Sequence, residues 1–360
     1  MTTEQDILNA LKSVTDPDLH RDIVSLGFVK NLTITKGFVK FDINLTTPAC
    51  PVKDVLKEQA REAVAALPDV KSVEVNMTAE VRRTIEQNKS NIKGIKNFIA
   101  VASGKGGVGK STVAVNLAVA MAQTGAKVGL LDGDIYGPSV LLMMGKDAQI
   151  EVGENEQIVP AQAHGIQFMS MGFMAPGDKP LIWRGPMAHH ALQQCLYQVL
   201  WGDLDYLFID LPPGTGDIHL TLVQSLKVTG AVLVSTPQDL GLTISLKTYQ
   251  MFKTTNVRML GLVENMSYYQ CPDCGHKDNI FGHGGAEEAA KRLGIPFLGA
   301  IPLDTRIRAH ADEGRPIVVA EPSSPISKTY HQIVEQLASQ VSIASFEAPM
   351  LKIVEEPAAT

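Results

Sequence analysis

Gly104-Lys105-Gly106-Gly107-Val108-Gly109-Lys110-Ser111 fits the pattern G-x-x-x-x-G-K-[ST] without a mismatch, and its flanks restrict the folds that can carry it. Phe98–Ala102 before it is a short apolar run that predicts a buried strand. After it, Thr112–Thr124 places Val113, Leu117, Ala120 and Met121 at helical spacing and stops at Gly125, a helix C-cap residue. Strand, glycine-rich turn and helix is the geometry a triphosphate needs. The backbone N–H groups of Gly104, Gly106, Gly107, Val108 and Gly109 close around phosphate oxygens, and the helix N-terminus adds partial positive charge. Lys110 is expected to reach the β- and γ-phosphates of ATP and the Ser111 hydroxyl to bind Mg2+, with Thr112 next to them.

From Asn97 onward, strand and helix patterns alternate. Candidate strands are Phe98–Ala102, Lys127–Leu131, Ile166–Met171, Tyr206–Ile209, Ala231–Ser235, Met259–Val263 and Phe297–Ile301. Most are near-continuous apolar runs, as expected where helices cover both sheet faces. Helical stretches fall at Met187–Trp201, Leu240–Thr254 and Gly285–Leu293. This predicts an α/β fold, a doubly wound and mainly parallel sheet with its ligand at the carboxyl strand ends.

A small α+β unit is expected over residues 1–80. Ile7, Leu8 and Leu11 suggest a helix, Val39, Phe41, Ile43 and Leu45 alternate as in a half-buried strand, and Val70–Val75 is a further strand. A second helix is predicted from Pro51 to Leu67, with Val52, Val55, Leu56, Ala60, Ala63 and Val64 inward. Cys50 precedes it. A thiol at a helix N-terminus has a lowered pKa, although a small buried hydrophobe is an equal reading. Residues 81–97 read as a polar linker after a helix tail, residues 98–341 as the nucleotide-binding domain, and residues 342–360, with Glu347, Pro349, Glu355, Glu356 and Pro357, as a disordered tail.

The expected strand ends carry acids. Asp132 and Asp134 follow one strand, and Asp210 with Leu211-Pro212-Pro213-Gly214 follows another. An Asp ending a strand beside a phosphate loop orients magnesium, the role assigned to Asp210, with Asp132 supporting the magnesium shell. Asp134 is the candidate for positioning the attacking water, and the Gly214 N–H for sensing the γ-phosphate.

The net charge of −6 over 360 residues argues against a general nucleic-acid binder. No apolar run approaches the ~18 residues of a membrane span, and the first residues lack a signal-peptide layout. Four cysteines in a chain of this length form no disulfide framework, so a cytoplasmic protein is expected. Cys195 shares a helical face with Leu192, Leu196 and Val199 and reads as core. His189 and His190 read as surface residues. Cys271-Pro272-Asp273-Cys274 is open to several readings: a redox pair, half of a zinc site with His276 and His283, turn cysteines, or half the ligand set of an iron–sulfur cluster.

Lys105, a second lysine inside the phosphate loop, resembles the pattern of the MinD, ParA and nitrogenase iron-protein superfamily. More narrowly, the chain resembles the Mrp/ApbC family of iron–sulfur cluster carriers over residues ~5 to ~335, through Leu131–Ser139, Trp183–Met187, Asp210–Asp217, Glu264–Ser267, Cys271–Cys274 and Ile301–Asp304. The resemblance implies a face-to-face homodimer in which Lys105 contacts the partner's nucleotide. It implies that Asn265 hydrogen-bonds adenine, although a turn Asn is an almost equal reading. It also implies that Cys271 and Cys274 from two subunits share a 4Fe–4S cluster, passed from scaffold donors to apoprotein acceptors. Slow hydrolysis of ATP would drive loading or delivery. No nucleic-acid or membrane partner is expected. The competing reading is a ParA- or MinD-like positioning ATPase with a zinc or redox CxxC.

Overall fold

The computed structural model describes residues 2–84, 92, 94–135, 137–153, 157–174, 185–214, 226–240 and 244–347. Two sheets organise them. The first is built from β1 (Val29–Thr35), β2 (Phe38–Leu45) and β3 (Ser72–Ala79), in the order β1-β2-β3, antiparallel then parallel. Helices α1 (Glu4–Leu11) and α2 (Lys53–Ala65) cover it. Ile7, Leu11, Phe41, Ile43, Leu56, Ala60 and Val64 form its core. The start of α1 is fixed by a capping box between Thr3 and Asp6. Pro51 and Val52 lie in a turn ahead of α2, so the helix begins two residues later than expected, and Val55 is exposed rather than inward. The strand β3 runs to Ala79 and the described residues 80–84 are irregular, so the predicted helix tail is not formed there.

The second sheet has eight strands: β4 (Ile95–Ala102), β5 (Val128–Asp132), β6 (Ala161–Ala163), β7 (Ile166–Ser170), β8 (Leu204–Asp210), β9 (Gly230–Ser235), β10 (Met259–Glu264) and β13 (Phe297–Ala300). Their spatial order is β6-β7-β5-β8-β4-β9-β10-β13, parallel throughout except for the antiparallel β6–β7 edge. Alternate residues of each strand enter opposite cores, which is why the strands read as unbroken apolar runs. Ile99, Val101, Leu130, Phe208 and Val232 face one side, against α3 (Lys110–Gln123) and α10 (Pro325–Glu347). Phe98, Ala100, Leu131, Leu207 and Leu233 face the other, against α5 (Gly185–Tyr197) and α7 (Gly285–Leu293). Cys195 is fully buried on α5, 3.5 Å from the Met171 sulfur, and burial pushes its thiol up to about 12. Helices α4 (Val140–Met144), α6 (Ile244–Thr254), α8 (Thr305–Asp312) and α9 (Ile317–Ala320) complete the layers.

Helix α10 corrects the expectation of a disordered tail from Ser342. Ile326, Tyr330, Ile333, Val334, Leu337 and Val341 keep one face of it buried, and the helix continues through Glu347. Its last turns hold the small sheet. The Ser342 and Thr46 hydroxyls lie 2.6 Å apart, and the Phe346 ring sits 6.3 Å from Phe28 with the Arg82 guanidinium 4.2 Å from its centroid. Tyr206 of the large sheet donates to Thr47 at 3.3 Å. The remainder of that tail, the Trp183-Arg184 end of the quoted Trp183–Met187 segment, residues 215–217 after Gly214, and the His189 side chain lie outside the described residues. No helix among the described residues is long and apolar enough to cross a membrane.

Candidate nucleotide and metal site

The phosphate loop joins β4 to α3 at the carboxyl edge of the sheet. Gly107 and Gly109 adopt φ +81° and +79°, the left-handed region that a residue with a Cβ enters only with strain. A Cβ at 109 would also lie 2.3 Å from the Asn265 amide nitrogen, so any other residue there would displace that side chain. Gly109 caps α3, so the first N–H groups of the helix point into the loop. Gly104 is half-buried, whereas Lys105, Gly106 and Gly107 are exposed. Ser103 donates its hydroxyl to the Lys105 carbonyl at 3.0 Å.

The acids converge because their strands pair in register. Asp210 is opposite Asp132 on one side and Val101 on the other. Lys110 reaches across from α3 and donates to Asp210 Oδ1, with Ser111 Oγ 3.2 Å and Asp134 Oδ2 4.0 Å from its ammonium. Burial raises the Asp210 pKa, opposed by Lys110 and Ser111. Asp210 Oδ2 is buried without a hydrogen-bond partner among the described residues, next to two groups that bind phosphate and magnesium in phosphate-loop enzymes. A hard cation fits that set: one unsatisfied carboxylate oxygen and a neighbouring hydroxyl.

Asp132 is placed differently. Its Oδ1 accepts from the Asp134 N–H at 3.2 Å, and its Oδ2 from the Ser170 hydroxyl at 2.8 Å and the Val140 N–H at 3.2 Å. Burial and then the Asp210 charge push this carboxyl up to about 7. Asp132 therefore braces the loop that carries Asp134, whose own Oδ1 accepts from the Gly137 N–H at 3.3 Å. The Gly214 N–H donates to the Ser103 carbonyl at 3.0 Å, so it would have to leave that partner to meet a γ-phosphate. Pro213 beside it packs toward Gly106 of the phosphate loop.

A cavity of about 350 Å³ opens from the start of α3. Thr112, Leu142, Met143, Asn265, Met266 and the Pro302-Leu303-Asp304 loop line it. Its largely apolar wall, next to phosphate-binding backbone, suits a nucleoside base. Asn265 contributes by donating its amide to the Val108 carbonyl at 2.8 Å, a contact to the phosphate loop that the sequence reading did not foresee.

Four residues beyond Asn265 the chain forms a hairpin, β11 (Tyr269–Gln270) paired with β12 (Lys277–Asp278), with the two cysteines at its tip. The turn closes through Gly275 N–H to Cys271 carbonyl and Cys271 N–H to His276 carbonyl, both 2.9 Å, and Gly275 takes φ +71°. Cys274 is exposed and Cys271 half-exposed. The Cys271 pKa is lowered by N–H groups of Cys274 and Asp273 and by the Cys274 thiol. Among the described residues no three His, Cys, Asp or Glu side chains converge as a metal site, so His276 and His283 do not complete a zinc set with this pair. Of the two readings of Cys50, the lowered-pKa thiol is overturned and the small buried hydrophobe fits. It is half-buried ahead of the turn, and burial, with Asp16, Asp18 and Glu335 adding to it, pushes its thiol up to about 11.

The sequence profile of the NUBPL iron-transfer P-loop NTPase family matches residues 94–338, and that of an iron-sulfur cluster assembly protein matches residues 4–77. The chain is 46% identical over 351 residues to an iron-sulfur cluster carrier protein of Synechocystis, covering 96% of this chain and 99% of that protein. A carrier protein of the same description from Deinococcus radiodurans is 45% identical, covering 94% and 95%. The chloroplastic Fe-S cluster assembly factor HCF101 of Arabidopsis thaliana is 44% identical, covering 98% of this chain and 68% of its own length. Among solved structures, a nucleotide-binding protein of Archaeoglobus fulgidus in complex with ADP aligns with TM-score 0.57 at 41% identity, over 66% of this chain and 93% of that one. By profile and by identity across nearly its whole length, the chain belongs to the NUBPL-type iron-transfer P-loop NTPase family.

Proposed function

We propose that this protein is an ATP-hydrolysing carrier of 4Fe–4S clusters, which two copies of the chain hold between them and pass to apoproteins. The observation that carries the reading is the cysteine hairpin. It presents two accessible thiols, one with a lowered pKa, and a cluster takes four thiolates as a rule. An isologous homodimer supplies the other two, since two-fold symmetry brings the same patch of each subunit together. A shared and exposed ligand set suits transfer rather than storage.

At the nucleotide end, the loop N–H groups and Lys110 would hold the β- and γ-phosphates. Ser111 Oγ and Asp210 Oδ2 would hold magnesium, which would supply positive charge against the phosphates. Asp134 would orient the attacking water, Asp132 would brace Asp134 from behind, and Lys105 would reach the partner's nucleotide. A change in subunit docking that shifts cluster affinity tenfold requires only about 1.4 kcal/mol of coupling. The reading is tested by anaerobic reconstitution of Cys271→Ser and Cys274→Ser variants. Each should lose both cluster absorbance and transfer to an apoprotein while retaining nucleotide binding. A Cys271→Ser variant that still carries a full cluster would refute it.

A further inference from the structure

One short segment joins the phosphate loop to the cysteine hairpin. Strand β10 ends at Glu264, a carboxylate buried at 1% exposure. Its Oε1 accepts from the Ser267 hydroxyl at 2.5 Å and its Oε2 from the Ala286 N–H at the start of α7 at 2.8 Å. Ser267 is itself fully buried, and its N–H donates to the Ile301 carbonyl at 2.9 Å. The turn so held, Asn265-Met266, includes a non-glycine residue in the left-handed region, Met266 at φ +55°. Asn265 at its head is hydrogen-bonded to the phosphate loop, and Cys271 stands at its foot.

A second strand of contacts runs alongside. The Pro302-Leu303-Asp304 loop lines the cavity at the start of α3 and also a cavity of about 360 Å³ beneath the cysteine hairpin, against Tyr268, Cys271 and Pro272. It is joined to the hairpin by the Leu303 N–H, which donates to the Tyr268 carbonyl at 2.7 Å, and by a β-bridge between Leu303 and Tyr269. A base seated in the first cavity would press on residues that are walls of the second.

We propose that Glu264 and Ser267 are positioning residues that couple nucleotide occupancy to the cysteine hairpin within one subunit, by way of the Asn265–Ser267 turn and the Pro302–Asp304 loop. This rests on the carrier reading but concerns the route of coupling. A buried carboxylate with a donor from each of two elements makes the turn move as a unit with the start of α7, and packed, hydrogen-bonded elements transmit a displacement rather than absorbing it. The signal would therefore reach the thiols before any second copy docks.

The test is the rate at which N-ethylmaleimide labels Cys271 and Cys274 in cluster-free full-length protein. It is read peptide by peptide, with and without saturating ADP and magnesium, at concentrations where sedimentation gives a monomer. Wild type should show at least a threefold change in rate on adding nucleotide. Ser267→Ala and Glu264→Gln should bring that ratio close to one at saturating nucleotide, an effect that lower stability alone would not produce. Should either variant fold poorly, hydrogen exchange on wild type decides the question: the Leu303 and Cys271 amides should change exchange rate when ADP binds the monomer. A nucleotide effect confined to the dimer, or retained in full by Ser267→Ala, overturns the proposal. The carrier reading is judged separately, by whether reconstituted wild type holds a cluster.

Discussion

The Asn265 side-chain amide donates to the Val108 carbonyl at 2.8 Å, tying the end of β10 to the middle of the phosphate loop. The contact depends on Gly109, which leaves no Cβ in the way and tolerates φ +79°. Gly109→Ala should thus lose about 1–3 kcal/mol from backbone strain alone and bind nucleotide at least about tenfold more weakly, measured with a fluorescent ATP analogue. Asn265→Ala, which strands the buried carbonyl and removes part of the cavity wall, should cost about 1–3 kcal/mol.

Asp134 and Lys105 are predicted to separate binding from turnover. Asp134 stands 4.0 Å from Lys110 on a loop braced by Asp132, so Asp134→Asn should leave ATP affinity nearly unchanged. Phosphate release should fall by roughly 10²–10⁴-fold, the range for loss of a positioned acid–base group. Lys105→Ala should retain binding too, with turnover lower by on the order of 10³-fold, and mixing with an active-site-dead partner that keeps its own Lys105 should restore activity. Equal turnover in wild type and Lys105→Ala would remove the in-trans role.

Cys50 and the hairpin cysteines should differ in pH profile. With the Cys50 thiol pushed up to about 11, roughly one molecule in a thousand carries its thiolate at pH 8. Its alkylation should therefore climb about tenfold per pH unit until near that value, whereas Cys271, with a lowered pKa, should react at neutral pH. The folded chain keeps a proton that the unfolded chain releases from about pH 8.5. Stability contributed by this group is thus full below that pH and is lost as pH rises toward 11. Peptide mapping after iodoacetamide treatment across pH 6–11 checks both statements, and equal rates at neutral pH would contradict them.

The end of α10 should matter to the small sheet. Phe346→Ala removes the ring between Phe28 and Arg82 and should cost about 1–3 kcal/mol, as for a partly buried aromatic. Ending the chain at Val341 should also remove the Ser342–Thr46 contact and speed proteolysis within residues 2–84. A truncated protein as resistant as the full chain would show that these contacts do not hold the unit.

Much of the larger sheet was legible because its physics is local. Runs such as Phe98–Ala102 and Ala231–Ser235 are apolar on both faces, and glycines mark the phosphate loop where φ must be positive. The three-residue edge strand Ala161–Ala163 has no period to detect, and its pairing to Phe168 comes from the neighbouring strand. Helix α10 did carry a signal, Tyr330, Ile333, Val334, Leu337 and Val341 at helical spacing, but the acidic, proline-containing end obscured how far it runs. At the site, the residue types and their strand-end positions were readable, but not their partners. That Asp132 bonds Ser170 and Val140, or that Glu264 bridges Ser267 and Ala286, depends on the spatial order of strands. The choice between the two readings of Cys50 was closed to the sequence for the same reason, since burial, with smaller contributions from distant acids, outweighs the helix it precedes.

Native mass spectrometry of anaerobically reconstituted protein tests the central claim most directly. The account predicts a species of two chains carrying a single 4Fe–4S cluster, absent when Cys271 or Cys274 is replaced. A single chain that carries an intact cluster and delivers it to an apoprotein would contradict the account.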